Sequence, residues 1–213
     1  MTFNSQNLLP FWHLLTRLGE MQILLPAALV ALVTLLRRPE ARPLASWWIV
    51  FLLIATTVTT VSKIAFIGWG MGSAELDFTG FSGHAMFSAA IYPLLLSTLA
   101  SHASPTGQRF AFAAGFMLAV LIGISRVEIG VHSASEVMAG LLLGGTASTL
   151  ALTLARLPRA VISPIIPALI AIWLVIMPIH APALQTHSWV TQLALKLSGN
   201  KTPYTRGDML REL

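Results

Sequence analysis

A histidine, an arginine and two carboxylates fall within the stretch Ser125-Arg126-Val127-Glu128-Ile129-Gly130-Val131-His132-Ser133-Ala134-Ser135-Glu136, between two long apolar runs. Polar groups at the edge of a membrane span are costly, so they point to a function. His132 and Glu136 stand one helical turn apart, which lets the carboxylate reach the imidazole, fix its tautomer and stabilise its charge. A second polar knot, Phe81-Ser82-Gly83-His84, opens another apolar run. Ser82-Gly83 at a helix start offers backbone N–H groups to an anion, and the glycine lets a ligand come close to the backbone. Lys63 lies in the last turn of a third apolar run, where it either snorkels to the interface or points inward at an anion. Lys63 and Arg126 suit phosphate oxygens, and an arginine can grip two of them at once. Two histidines allow one nucleophile and one acid. These groups predict a phosphate-handling site where the two knots meet at one membrane surface.

The elements that must position them are membrane helices. The chain of 213 residues is 55% hydrophobic and only 10% charged, which excludes an ordinary soluble domain. Several apolar runs approach the roughly 20 residues that cross a bilayer as a helix. A β-barrel would alternate polar and apolar residues instead. The expected fold is all-α, a polytopic membrane helical bundle of about six transmembrane helices with interfacial N- and C-terminal segments. Residues 1–20 read as an interfacial anchor, too polar to span. Residues 21–178 read as the six-span domain, with spans near 21–36, 47–67, 82–100, 110–124, 133–154 and 161–177. Residues 179–213 read as an external tail, in which Trp189, Val190, Leu193 and Leu197 recur at the spacing of a surface helix before a polar run begins at Asn200. Gly140, Gly144 and Gly145 suggest close helix packing. Asp77 and Glu128 read as solvated loop residues or helix caps.

The net charge of +5 is scattered over short loops and the tail, with no basic stripe, so it describes topology and not nucleic-acid binding. Arg37, Arg38, Arg42, Arg109, Arg156 and Arg159 fall on one side of a six-span chain, which the positive-inside rule makes cytoplasmic. Both knots then share the external face, periplasmic in a bacterial inner membrane. Lys196, Lys201, Arg206 and Arg211 in the tail run against that rule. The chain has no cysteine, which excludes disulfides and thiol chemistry.

Ser125-Arg126, five residues, His132, three residues and an acid resembles the third signature of the type-2 phosphatidic acid phosphatase superfamily. Ser82-Gly83-His84 resembles its second signature and Lys63 the opening of its first; the likeness covers roughly residues 21–178. The resemblance implies a six-helix membrane core and a lipid phosphate as substrate, with no metal ion or other cofactor. It implies that His132 attacks phosphorus to form a phosphohistidine, that His84 protonates the leaving oxygen, and that Glu136 orients His132. It further implies that Lys63, Ser82, Gly83 and Arg126 hold the phosphate. Three departures stand out. Gly70 and Met71 occupy the places of an Arg-Pro pair, Phe81 stands for a proline, and Glu136 for an aspartate. Arg206 folding back from the tail would restore a cation, although a plain surface arginine is the ordinary expectation.

Two other classes are compatible with these residues. One is a metal-dependent membrane hydrolase using His84, His132 and Glu136, which leaves Arg126 and Lys63 without a task. The other is a non-catalytic lipid-phosphate binding or transport protein on the same fold. Undecaprenyl pyrophosphate, phosphatidic acid and phosphatidylglycerol phosphate all place a phosphate at a bilayer surface.

Overall fold

In the computed structural model, the described residues are 8–159, 163, 165–180 and 186–211. They form α1 (Leu9–Arg17), α2 (Met21–Leu36), α3 (Arg42–Trp69), α4 (Gly83–Leu99), α5 (Pro105–Glu128), α6 (Ala134–Leu154), α7 (Ile165–His180), α8 (Thr186–Ser198) and α9 (Arg206–Arg211). The fold is all-helical, as expected. Among the described residues, four helical stretches are long and apolar enough to cross a membrane: Leu9–Leu36, Pro39–Trp69, Pro105–Glu128 and Ala134–Leu154. Two shorter apolar helices, α4 and α7, accompany them.

The short α4 is the axis of the bundle. Every residue from Ala85 to Leu95 is buried, and α2, α3, α5 and α6 all pack against the helix. Because protein encloses it, α4 need not match the bilayer by its own length. Small residues bring its neighbours to backbone distance: a Cβ placed on Gly144 would lie 2.1 Å from the Met86 carbonyl oxygen, and one on Gly115 2.5 Å from that of Tyr92. The Trp48 indole N–H donates to the Ala90 carbonyl at 3.0 Å, so this large fully buried ring keeps its polar atom satisfied. On the outside, Leu29, Leu53, Leu142 and Val175 are 60%, 62%, 69% and 69% exposed. An apolar exterior around an apolar core is what a lipid solvent selects. Replacing Gly144 by valine is expected to destabilise the bundle by at least about 1–3 kcal/mol through overpacking. Thermal unfolding in detergent checks this; an unchanged midpoint would mean the α4–α6 crossing is looser than described.

Several boundaries differ from the expected ones. α3 begins at Arg42 and not near Trp47, because Pro43 suits a helix's first turn. α5 runs from Pro105 to Glu128, capped by the Ser104 hydroxyl, so Ser125 and Arg126 are helical and not in a connecting stretch. Of the sixth expected span, Val161, Ile162 and Pro164 lie outside the described residues, and helix is present from Ile165. The chain reverses at each turn, so α2, α4 and α6 begin, and α3 and α5 end, at one pole. Arg37, Arg38, Arg42, Arg109 and Arg156 belong to the opposite pole.

The helix expected in the tail is present as α8. α8 packs along α3 with Ala194 fully buried and Val190 against the Phe66–Ile67 cluster, while Trp189, Leu193 and Leu197 face outward. Three of the four stripe residues read from the sequence are therefore on the exposed face, while Val190 and the small Ala194 are docked.

Candidate functional site

The two polar knots meet. The Ser82 backbone N–H donates to the Glu136 carbonyl oxygen at 3.1 Å, joining the start of α4 to the first turn of α6. A Cβ on Gly83 would sit 3.9 Å from Lys63 Nζ, so the lysine points inward and does not snorkel away. Lys63, Gly83, His84, Arg126 and His132 all line one cavity of about 730 Å³. Ser82 is buried behind them, and its hydroxyl has no partner among the described residues. The expected Ser82 backbone donor is thus spent on tying two helices together, which leaves its hydroxyl and the first-turn amides of α4 for an anion.

His132 precedes α6 and is held from one side. Its Nδ1 lies 2.6 Å from Glu136 Oε2, leaving Nε2 as the ring nitrogen without a partner among the described residues. Glu136 is fully buried, and donors surround it. Oε2 also accepts from the Ser133 N–H at 3.2 Å, and Ser133 Oγ accepts from the Glu136 N–H at 3.3 Å, a reciprocal cap of α6. Oε1 accepts from the Thr79 N–H at 2.8 Å, from the Thr79 hydroxyl, and from Arg206 Nη2 at 2.7 Å. Glutamate, one methylene longer than the aspartate of the resemblance, suits this place because it caps the helix and reaches the imidazole together. Ser133-Ala134-Ser135-Glu136 is legible as a capping box; Thr79 carries no such signal.

Burial pushes the His132 imidazole below the usual histidine value of 6.5; its hydrogen bond to Glu136 opposes that, and Lys63 and Arg126 add to it. The neutral, nucleophilic ring is therefore the form present at neutral pH. The unfolded chain takes up this proton near pH 6.5 while the folded one resists it, so this group's contribution to stability is lost as pH falls below about 6.5. His132→Ala is expected to flatten that part of the pH–stability curve, as read by thermal unfolding; an identical acid dependence in the variant would count against a buried neutral ring.

Arg126 closes the opposite wall. Its Nη1 donates to the buried Thr16 hydroxyl at 3.0 Å, and its buried Nε has no partner among the described residues. The α1–α2 junction, expected to be only an anchor, is a wall of the site. Gly19 lies against His84, where a Cβ would come within 3.2 Å of the ring, and Tyr92 donates to the Leu18 carbonyl at 2.8 Å. Its polar residues gave no sign of this role, since Thr16 and Arg126 are 110 residues apart in the chain.

Arg206 and Asp77 correct the sequence reading. Arg206 is not a plain surface residue: it donates to Glu136 and, through Nη1, to Asp77 Oδ2 at 3.0 Å, and it lines the cavity. Asp77 is half-exposed but ion-paired, and it sits at a φ of +47° in the α3–α4 loop. Glu128 is exposed at the end of α5, as expected. Of the lining cations, Arg206 is paired with Asp77 and Glu136, and the lining carboxylate Glu20 pairs with Arg17 at 3.4 Å, which leaves Lys63 and Arg126 as the positive charge facing the cavity. That balance attracts an anion. The metal-hydrolase alternative is a poor fit, because both Glu136 oxygens are engaged by N–H and O–H donors and cations crowd the imidazoles.

A sequence profile of the PAP2 superfamily matches residues 68–160, which include the second and third polar motifs. The chain is 36% identical over 206 residues to an uncharacterized 22.5 kDa protein in the cps region of Klebsiella pneumoniae, covering 94% of this chain and 98% of that one. It is also 36% identical over 72 residues to phosphatidylglycerophosphatase B of Bacillus subtilis (strain 168), covering 33% of this chain and 36% of the relative. No solved structure matches.

Proposed function

The chain belongs to the PAP2 superfamily, and from that premise we propose that it is a membrane lipid phosphate phosphatase working through a phosphohistidine. One observation carries this reading. An imidazole fixed by a buried carboxylate at 2.6 Å keeps its second nitrogen for a cavity lined by Lys63, Arg126 and a second histidine. A nucleophile held by a base-orienting carboxylate beside cations is the arrangement phosphoryl transfer needs.

In the proposed reaction, Lys63, Arg126, the Ser82 hydroxyl and the Gly83 amide hold the non-bridging phosphate oxygens. His132 Nε2 attacks phosphorus; the N–P bond forms as the bond to the leaving oxygen breaks, and His84 donates a proton to that oxygen. Glu136 stabilises the positive charge that develops on His132. Water then attacks the phosphohistidine, giving its proton to His84, and inorganic phosphate leaves with both histidines restored. No redox step or metal is needed.

A lipid substrate follows from position. Phe66, Ile67, Phe87 and Val190 line the same cavity as the cations, so a head group and the root of an apolar chain can be housed together. With the arginine-rich pole in the cytoplasm, the site lies on the external face, periplasmic in a bacterial inner membrane. The test is phosphate release by detergent-solubilised protein from phosphatidic acid, phosphatidylglycerol phosphate and a polyprenyl pyrophosphate, with excess chelator and with orthovanadate. Chelator-resistant, vanadate-sensitive release is the expected result; no release from any lipid by folded protein would favour a binding or transport role.

A further inference from the structure

The polar end of the chain lies across the site and is fastened there. Asn200 Nδ2 donates to the Gly68 carbonyl at 2.7 Å and the Tyr204 N–H to that of Ile67 at 2.9 Å. Both are carbonyls that the end of α3 leaves unpaired. The Tyr204 ring meets Phe66 edge-on with centroids 5.5 Å apart, and Met209, 4% exposed, completes the cluster with Phe66, Ile67 and Ala194. Gly70 makes room for this: its φ is +69°, and a Cβ there would stand 3.2 Å from the Tyr204 ring. Position 70, one of two that depart from the first signature, is thus occupied by the docked tail.

What the fastening delivers is Arg206. Its two Nη atoms bridge Asp77 in the α3–α4 loop and Glu136 on α6, and Glu136 holds His132. We propose that Arg206 is a positioning residue for His132, acting through Glu136, and that residues 199–211 are therefore part of the active site. This rests on the phosphatase reading of the same cavity. A fully buried carboxylate stays put only if its oxygens are filled by well-placed donors. Thr79 and Arg206 lock Oε1, which fixes the carboxylate plane and hence the direction from which Oε2 meets Nδ1. Without the guanidinium the plane can turn, and the imidazole with it; small misplacements of a nucleophile cost large factors in rate.

The test uses full-length protein in detergent. Arg206→Ala is expected to lower kcat for phosphate release by about 10–100-fold, the size seen when an outer partner of a site ligand is removed, with KM within about twofold. Arg206→Lys, which keeps the charge but cannot fork across two carboxylates, recovers part of the loss. Tyr204→Ala leaves the arginine in the chain and loosens its anchor, so kcat falls in the same direction. The same variants are titrated with orthovanadate, whose five-coordinate complex needs an aligned His132, and with inorganic phosphate, which does not. A loss of vanadate affinity of about 10–100-fold with phosphate affinity nearly unchanged supports the proposal, whichever lipid proves to be the substrate. Equal losses for both ions, or a raised KM at unchanged kcat, would make Arg206 an ordinary phosphate ligand and overturn it, as would wild-type behaviour throughout. If wild-type protein binds vanadate but releases no phosphate from any lipid, the phosphatase reading fails alone, and the vanadate comparison still decides the role of Arg206.

Discussion

Replacing His132 by alanine is expected to lower phosphate release by about 10⁴-fold or more while the protein stays folded and still binds its substrate. The reasoning is local. In the proposed reaction His132 supplies the attacking nitrogen, and only 14% of its side chain is exposed, yet the groups proposed to hold the phosphate stand on other elements: Lys63 on α3, the Ser82–Gly83 corner at the start of α4, Arg126 on α5. Removing the ring therefore removes the reaction path and leaves the ground-state grip. The measurement is kcat with a radiolabelled lipid phosphate, together with inorganic phosphate affinity and a search for acid-labile, base-stable phosphate on the His132 peptide of wild-type protein. A fully active His132→Ala variant would sink the phosphohistidine mechanism, and phosphate trapped on His84 instead would exchange the roles of the two histidines.

Glu136→Gln is the second large effect, expected at about 10³–10⁴-fold in kcat, by analogy with amide replacement of the carboxylate that orients a catalytic histidine. The amide is nearly isosteric, so the loss is electronic. Glu136 accepts from His132, Ser133, Thr79 and Arg206, and every one of those contacts asks for an acceptor. A glutamine must turn its NH₂ toward some of these donors, leaving at least one buried group unpaired at about 1–3 kcal/mol. Turned toward His132, it also selects the wrong tautomer. The variant should accordingly show both a lowered unfolding temperature and a lowered kcat. A stable variant with wild-type turnover would mean that Glu136 is only a helix cap.

How much of this could be read from the chain differs by residue. His132 and Glu136 are neighbours by helical periodicity, and Ser82-Gly83-His84 opens an apolar run, so their local arrangement was legible. Lys63 was ambiguous, since a lysine in the last turn of an apolar helix satisfies its charge equally by snorkelling or by facing an anion; its place beside Gly83 in the cavity excludes the first. Thr16, Gly19 and Thr79 were out of reach, and Arg206 could be raised as a substitute cation but not placed on Glu136. Each is an ordinary residue in its own segment and becomes part of the site only because distant segments are brought against Arg126, His84 and Glu136.

The sequence by itself therefore determined the class of molecule, the helical elements and the chemistry on offer, because burial in lipid and short-range helical spacing are written in composition and periodicity. Only the tertiary structure decided which groups are free to act. It committed the Ser82 amide to Glu136, enclosed α4 so that a short helix could serve as the axis, and laid the C-terminal segment over Gly70 with Arg206 on Glu136. Those outcomes are set by contacts between residues far apart in the chain, whose geometry no local pattern encodes.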